Sequence, residues 1–243
     1  MDKAELYSML QKEEEFDYEK YLNTEQLLSC QKDFLNLCNH DELQFQIVHQ
    51  VEELWLKLMV HTLISVDECI EQHKTNKIIT LFKRVHLLQK LMISQLDVLE
   101  TMSPKDYQSI REQLGNGSGK ESPGFRALSK LPELLWKSFQ EHYLDKQGLT
   151  VECIYDSDYQ HDGAYMVAEA MAEFDELAQK FYYHHLQLIY RSIGFDSKSL
   201  KGRSVEMLNN HTKRKFFPAL WEVRTQMTDE WGAQYGVIRE AID

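Results

Sequence analysis

Two histidines, an arginine and a tyrosine stand at spacings that let helices make chemistry of them. His49 follows Phe45 by one turn within DELQFQIVHQVEELWLKLMVH (41–61). An imidazole on an otherwise apolar wall is a polar group suited to a ligand pocket, and it is equally the pattern of a core histidine with a satisfied hydrogen bond. Periodicity does not separate the two. Further on, Phe181, His185, Leu188 and Ile189 share one helical face, whereas His184 lies beside Lys180 and Gln187, so the pattern makes His185 the more interior of the pair. Tyr107 and Arg111 are one turn apart on a short segment that stops at LGNGSGKESPG (114–124). Four glycines there mean a backbone that turns sharply or nears a ligand, or else a flexible connector.

The elements that must position these residues are helices. No glycine precedes Gly115, and Pro104 alone interrupts that first half. Within 41–61, Ile47, Val51, Leu54, Trp55, Leu58 and Thr62 form one stripe at helical pitch. Phe45, His49, Leu56 and Val60 fall nearly opposite, leaving Gln46, Gln50, Glu53 and Lys57 as the one polar line. A helix so apolar belongs in the middle of a bundle, with neighbours on both sides. A second long helix is predicted over roughly 77–102, and Ser103-Pro104 caps the segment holding Tyr107 and Arg111. Helices follow over 126–150, with Gly148 ending the first, and from about Tyr165 to Ile193, ended by Gly194. Residues 150–164 are the one stretch resembling a strand or an irregular connection. Residues 195–215 read as a locally basic loop, either solvated or a lid, before FFPALWEVRT returns to apolar packing and a last helix. Near the N-terminus Tyr18, Tyr21 and Leu22 form an i, i+3, i+4 set, ordinarily a packing pattern unless it reaches another subunit.

Bulk properties narrow the partners. A formal net charge of −12 argues against nucleic acid or an anionic membrane surface. No segment has the length of a membrane span, the first residues are no signal peptide, and four scattered cysteines without a CxxC read as reduced thiols in a cytoplasmic protein. A di-metal carboxylate site needs ExxH pairs, and no histidine has a glutamate three residues before it. HExxH, GxSxG and the phosphate-loop pattern are missing as well. What remains fits an axially ligated haem beside a pocket for an aromatic substrate better than it fits hydrolysis.

Several blocks together are more specific than any one motif. HDELQFQIVHQVEELWLK, RVHLLQKLMISQLDVLETMSPKDYQSIREQLGNGSG, HLQLIYRSIG and KRKFFPALWEVRT resemble, in order, those of the tryptophan 2,3-dioxygenase family, and YEKYLNTEQLLSCQ is similar to its N-terminal segment. The resemblance implies an all-α, single-domain helical bundle (1–243) enclosing a b-type haem, assembled as a homotetramer. It implies O2-dependent opening of the indole ring of L-tryptophan, or a derivative, to N-formylkynurenine. Carried over residue by residue, His185 is the haem-iron ligand, nine residues before Gly194, and Ser118 and Gly119 contact the haem. His49 is the catalytic histidine beside the indole nitrogen, and Phe45 stacks on the ring. Arg111, with Tyr107 one turn earlier, clamps the substrate carboxylate through the planar guanidinium fork. Tyr18, Tyr21 and Leu22, within 1–30, reach a neighbouring subunit's site.

Two stretches depart from the family pattern. Its SGFQSxQFR is SGKESPGFR here, with Lys120, Glu121 and Pro123 as replacements. Its GTGGSSG lid is represented by KSLKGRS (198–204), where one glycine, Gly202, survives and Ser199 stands in for a threonine hydroxyl. A lid without its glycines closes differently or admits a differently substituted amine. Two alternatives stay open: a relative that adds one oxygen atom to an indole or tyrosine-type ring, and a haem-binding sensor without turnover.

Overall fold

A computed structural model describes residues 16–156, 162–198 and 209–231, with the isolated positions 3, 6, 8, 10, 202, 204 and 205. Two short helices, α1 (Asp17–Leu22) and α2 (Thr24–Leu28), lead through a 3-10 turn to α3 (Asp41–Glu71). α4 (Thr75–Glu100) folds back along it, and α5 (Pro104–Gln113) begins at the predicted cap, where the Ser103 side chain accepts the Asp106 amide. α6 (Pro123–Leu128) and α7 (Leu131–Phe139) follow the glycine loop, and α7 runs on through a π-helical stretch (Gln140–Leu144) to Gly148 at φ +65°. α8 (Val151–Tyr155) replaces the expected strand or irregular connection with a short helix, which Thr150 caps by accepting the Cys153 amide. α9 (Gly163–Ile193), α10 (Asn209–Thr212) and α11 (Pro218–Trp231) complete the chain. No strand occurs among the described residues; Lys198 and Ser204 form one isolated antiparallel bridge. The protein is all-α, and none of its described helices is long and apolar enough to cross a membrane.

The core is a three-helix layer. α4 lies in the middle, packed along α3 on one side and α9 on the other, while α6 and α7 cover α3. Leu56, Met59, Leu63, Val66 and Ile70 of α3 meet Ile78, Phe82 and Val85 of α4 and Val167, Met171 and Phe174 of α9, all fully or nearly fully buried. Each such side chain contributes roughly 1.5–3 kcal/mol by leaving water. Polar ties fix the register of α4 on α9: Gln89 donates to the Phe174 carbonyl at 2.9 Å, and His86 Nε2 lies 3.0 Å from the Ala170 carbonyl.

The α3 pattern needs correction. Its buried seam runs Val48, Glu52, Leu56, Met59, Leu63, Val66, Ile70, while Ile47 and Leu54 of the predicted stripe are 42 % and 48 % exposed. The reason is that α4 fixes which seam closes, and it tolerates glutamates there. Glu42 is buried against Lys32 and accepts the Cys38 amide at 2.6 Å. Burial alone would raise its pKa; the Cys38 amide and the Lys32 ammonium outweigh it and hold the carboxyl below its ordinary value. Nor is the polar line simply solvated. Gln46 accepts the Lys32 amide at 2.9 Å, Gln50 bonds Gln31 and the Cys30 carbonyl, and Glu53 accepts the Gly124 amide at 3.0 Å. It docks the incoming arm and the start of α6.

The C-terminal helix is tied by Asp175 at its start and by Arg224, which pairs with Glu169 of α9 and donates to Tyr155 of α8. Asp175, fully buried on α9, accepts the amides of Phe216 and Phe217 at 2.9 and 3.2 Å and the Trp221 indole N–H at 2.9 Å. These three N–H groups, with Gln179 Nε2 at 3.5 Å from Oδ1 as a fourth donor, satisfy a buried carboxyl that would be costly unpaired.

Candidate functional site

The wall of the site is the first third of α3. His49 Nδ1 lies 2.7 Å from the Phe45 carbonyl, and the two rings are 4.1 Å apart. A carbonyl only accepts, so Nδ1 carries the hydrogen and the tautomer is fixed. Desolvation lowers the His49 pKa, with the Phe45 carbonyl and Glu53 pulling the other way. The residue is nevertheless exposed, so His49 presents a neutral imidazole with Nε2 as an acceptor.

Tyr107 and Arg111, projecting from α5, close one side. The Tyr107 ring is 6.5 Å from Phe45, and burial raises its pKa despite Arg111, so the phenol keeps its proton. Arg111 Nη2 donates to the Lys198 carbonyl at 2.7 Å. Among the described residues that is its one hydrogen bond, and it ties the basic loop after α9 to α5. A guanidinium has five N–H donors in a planar fork, of which the Lys198 carbonyl takes one.

On the far side, α9 supplies Phe181 and His185, whose ring planes are parallel within 3° with centroids 6.1 Å apart. The expectation that His185 is interior fails: it is exposed, and the neighbouring His184 is the more enclosed. The helical pattern grouped His185 with Phe181 and Leu188, but the imidazole itself is left exposed beside that apolar face. Between the two walls Val48, Leu96, Leu99 and Leu188 form a buried apolar floor, with Phe45, Met102 and Phe181 packed against it. Contacts thus run without a break from Tyr107 through Phe45 and this floor to Phe181 and His185.

The remaining candidates are less gathered. Ser118 and Gly119 are exposed on the glycine loop; Ser118 accepts the Lys120 amide at 3.4 Å, and neither residue meets His49 or His185. The loop is held at both ends, by α5 and by the Gly124–Glu53 bond one turn past His49. Gly124 is required by close approach: a Cβ there would stand 2.6 Å from Leu56 Cβ and 2.8 Å from Glu53 Oε2. Tyr18, Tyr21 and Leu22 point away from the chain at 72 %, 89 % and 45 % exposure. Ser199 lies outside the described residues.

Sequence reasoning missed two participants. Lys198 enters through its backbone carbonyl, which no side-chain pattern announces. Glu52 stands one turn after His49, buried, with Oε1 unpaired among the described residues; desolvation pushes its pKa to about 7, Gln95 pulling it back and Glu53 adding to the rise. A glutamate beside a second glutamate reads as surface, and only its place in the seam with Val48 and Leu56 gives it away.

The arrangement fits a haem. It offers an accessible imidazole parallel to a phenyl ring and an apolar floor from three helices.

Comparison with known proteins gives the same direction. The family profile described as Tryptophan 2,3-dioxygenase matches residues 6–135. The tryptophan 2,3-dioxygenase of Serratia proteamaculans (strain 568) is 29 % identical, over 93 % of this chain and 99 % of its own length. That of Myxococcus xanthus (strain DK1622) is 28 % identical over 87 % and 89 %, and that of Erythrobacter litoralis (strain HTCC2594) 29 % over 86 % and 97 %. A profile spanning more than half the chain, and relatives aligned nearly end to end, place this oxidoreductase in the tryptophan 2,3-dioxygenase family.

Proposed function

We propose that the protein is a haem-dependent dioxygenase that opens the indole ring of L-tryptophan to N-formylkynurenine. The observation that carries this reading is the fixed tautomer of His49. With Nδ1–H held by the Phe45 carbonyl and the ring neutral, Nε2 can only accept, which suits the N–H of an indole. Phe45 supplies the adjoining aromatic face, and an offset ring pair there contributes about 0.5–1.5 kcal/mol beyond burial.

Arg111 binds the substrate carboxylate through the edge of the guanidinium not used on Lys198, so substrate and the 198–204 loop share one cation. Tyr107 packs on Phe45 and narrows the entrance. His185 would hold the haem iron with Phe181 parallel to its ring, and Ser118 and Gly119 would contact the haem. Bound at His185, haem supplies the O2 chemistry. The chain's own part is to orient the indole, exclude water and accept the indole hydrogen bond at His49 Nε2. His49 is not needed as a strong base, and its lowered pKa agrees with that role.

The assembly belongs to the proposal too. α1 has six residues and buries none, and such a helix is not stable alone. By the family resemblance Tyr18, Tyr21 and Leu22 cover a neighbouring subunit's site in a homotetramer, in the cytoplasm, and their exposure on this chain supports that reading.

Haem titration with site variants tests the reading. Wild-type protein takes up one haem and its Soret band shifts on adding L-tryptophan. His185→Ala loses iron ligation, whereas His49→Ala keeps haem and loses activity. Loss of haem in His49→Ala, or a Soret band indifferent to L-tryptophan, would contradict the assignment.

A further inference from the structure

Beside the candidate site, one group of side chains converges from two helices. Asp97 and Glu100, one turn apart on α4, face His184 of α9. His184 Nε2 lies 3.2 Å from Asp97 Oδ1 and 3.4 Å from Glu100 Oε1, and the three atoms are all within 4.8 Å of one another. Around a divalent ion with bonds of about 2.1 Å, adjacent ligands stand roughly 3.4 Å apart in a tetrahedron and roughly 3.0 Å in an octahedron. The two nitrogen–oxygen edges match.

Hydrogen bonding explains the arrangement less well, because Nε2 carries at most one hydrogen and faces two carboxylate oxygens. Arg191 pairs with the other oxygen of Glu100, turning Oε1 toward His184, as outer-shell partners orient ligating carboxylates. The His184 and Glu100 side chains are 27 % and 19 % exposed and make a closed back wall, while Asp97 at 67 % leaves an open side for water ligands.

We propose that Asp97, Glu100 and His184 bind a divalent transition-metal ion of the Zn2+ class, distinct from the haem iron. One imidazole with two carboxylates suits such an ion. The ion clamps α4 to α9 one residue ahead of His185.

Calorimetric titration of the haem-loaded full chain with Zn2+ tests the site, alongside Asp97→Asn and His184→Gln. The expected result is one site per chain whose affinity falls tenfold or more in each variant, with Zn2+ raising the melting temperature of wild type alone. Zinc-edge X-ray absorption on the wild type at one equivalent is independent of whether the variants fold; it should show nitrogen and oxygen ligands without sulfur. Identical isotherms for wild type and folded variants, or sulfur in the first shell from exposed Cys30, Cys38 or Cys153, would overturn the proposal.

Discussion

His49 and Glu52 are one turn apart on α3, and burial acts on them in opposite senses: it lowers the pKa of the histidine and raises that of the glutamate. Both effects remove charge from the wall facing the apolar floor. Glu52 holds its proton more tightly folded than unfolded, at about 7 against 4.5, so stability falls as pH rises through that window. Glu52→Gln removes the cost and should stabilise the protein by up to about 3 kcal/mol above pH 8, with little effect below pH 4.5. Chemical denaturation at several pH values checks this; equal stability of the two proteins at pH 8 would refute it. Arg111 carries a different burden, because it serves both the Lys198 carbonyl and the proposed carboxylate. Arg111→Lys keeps the charge but loses the fork, and KM for L-tryptophan should rise roughly tenfold to a hundredfold, for about 1.5–3 kcal/mol of charge-assisted bonding. Steady-state kinetics reads this directly. At this scale the sequence showed the residue types and their turns, and the block resemblance gave their roles. It did not show that Glu52 is interior, because one residue of helical rotation separates the predicted stripe from the seam α4 closes.

Elements are positioned by a few polar ties that composition does not display. α6 approaches α3 so closely that only glycine fits at position 124, with the Glu53 carboxylate receiving its amide. Gly124→Ala should cost about 1–3 kcal/mol and displace the glycine loop; a melting temperature unchanged within error would contradict the packing. α11 is tied at its start by Asp175, whose carboxylate receives three N–H groups around the FFPALW block. Asp175→Leu leaves those donors unpaired and should cost about 3–5 kcal/mol, visible as early loss of tryptophan fluorescence from Trp221 on denaturation. Helix limits were legible because glycine, proline and serine mark them: Ser103-Pro104 and Gly194 stand where patterning put them. The segment at 150–164 was not, since five residues of helix closed by a Thr150 cap carry too little periodicity to announce themselves.

At the scale of the whole molecule, two long helices flank α4, and the candidate site lies where α3, α5 and α9 approach one another beside its C-terminal half. The arm that precedes α3 is fastened by Gln31 and Lys32, and on it Tyr18, Tyr21 and Leu22 are exposed at 72 %, 89 % and 45 %. His185 shows a limit of a single-chain pattern, since an apolar helical face can close on protein or open on a cofactor. The central claim is oxygenation of the indole ring, and the mass of the product tests it most directly. Haem-loaded, reduced protein given L-tryptophan under air should yield a product heavier by two oxygen atoms, with the ultraviolet band of N-formylkynurenine. A product heavier by one oxygen atom, or no product from protein with haem bound, would contradict the account.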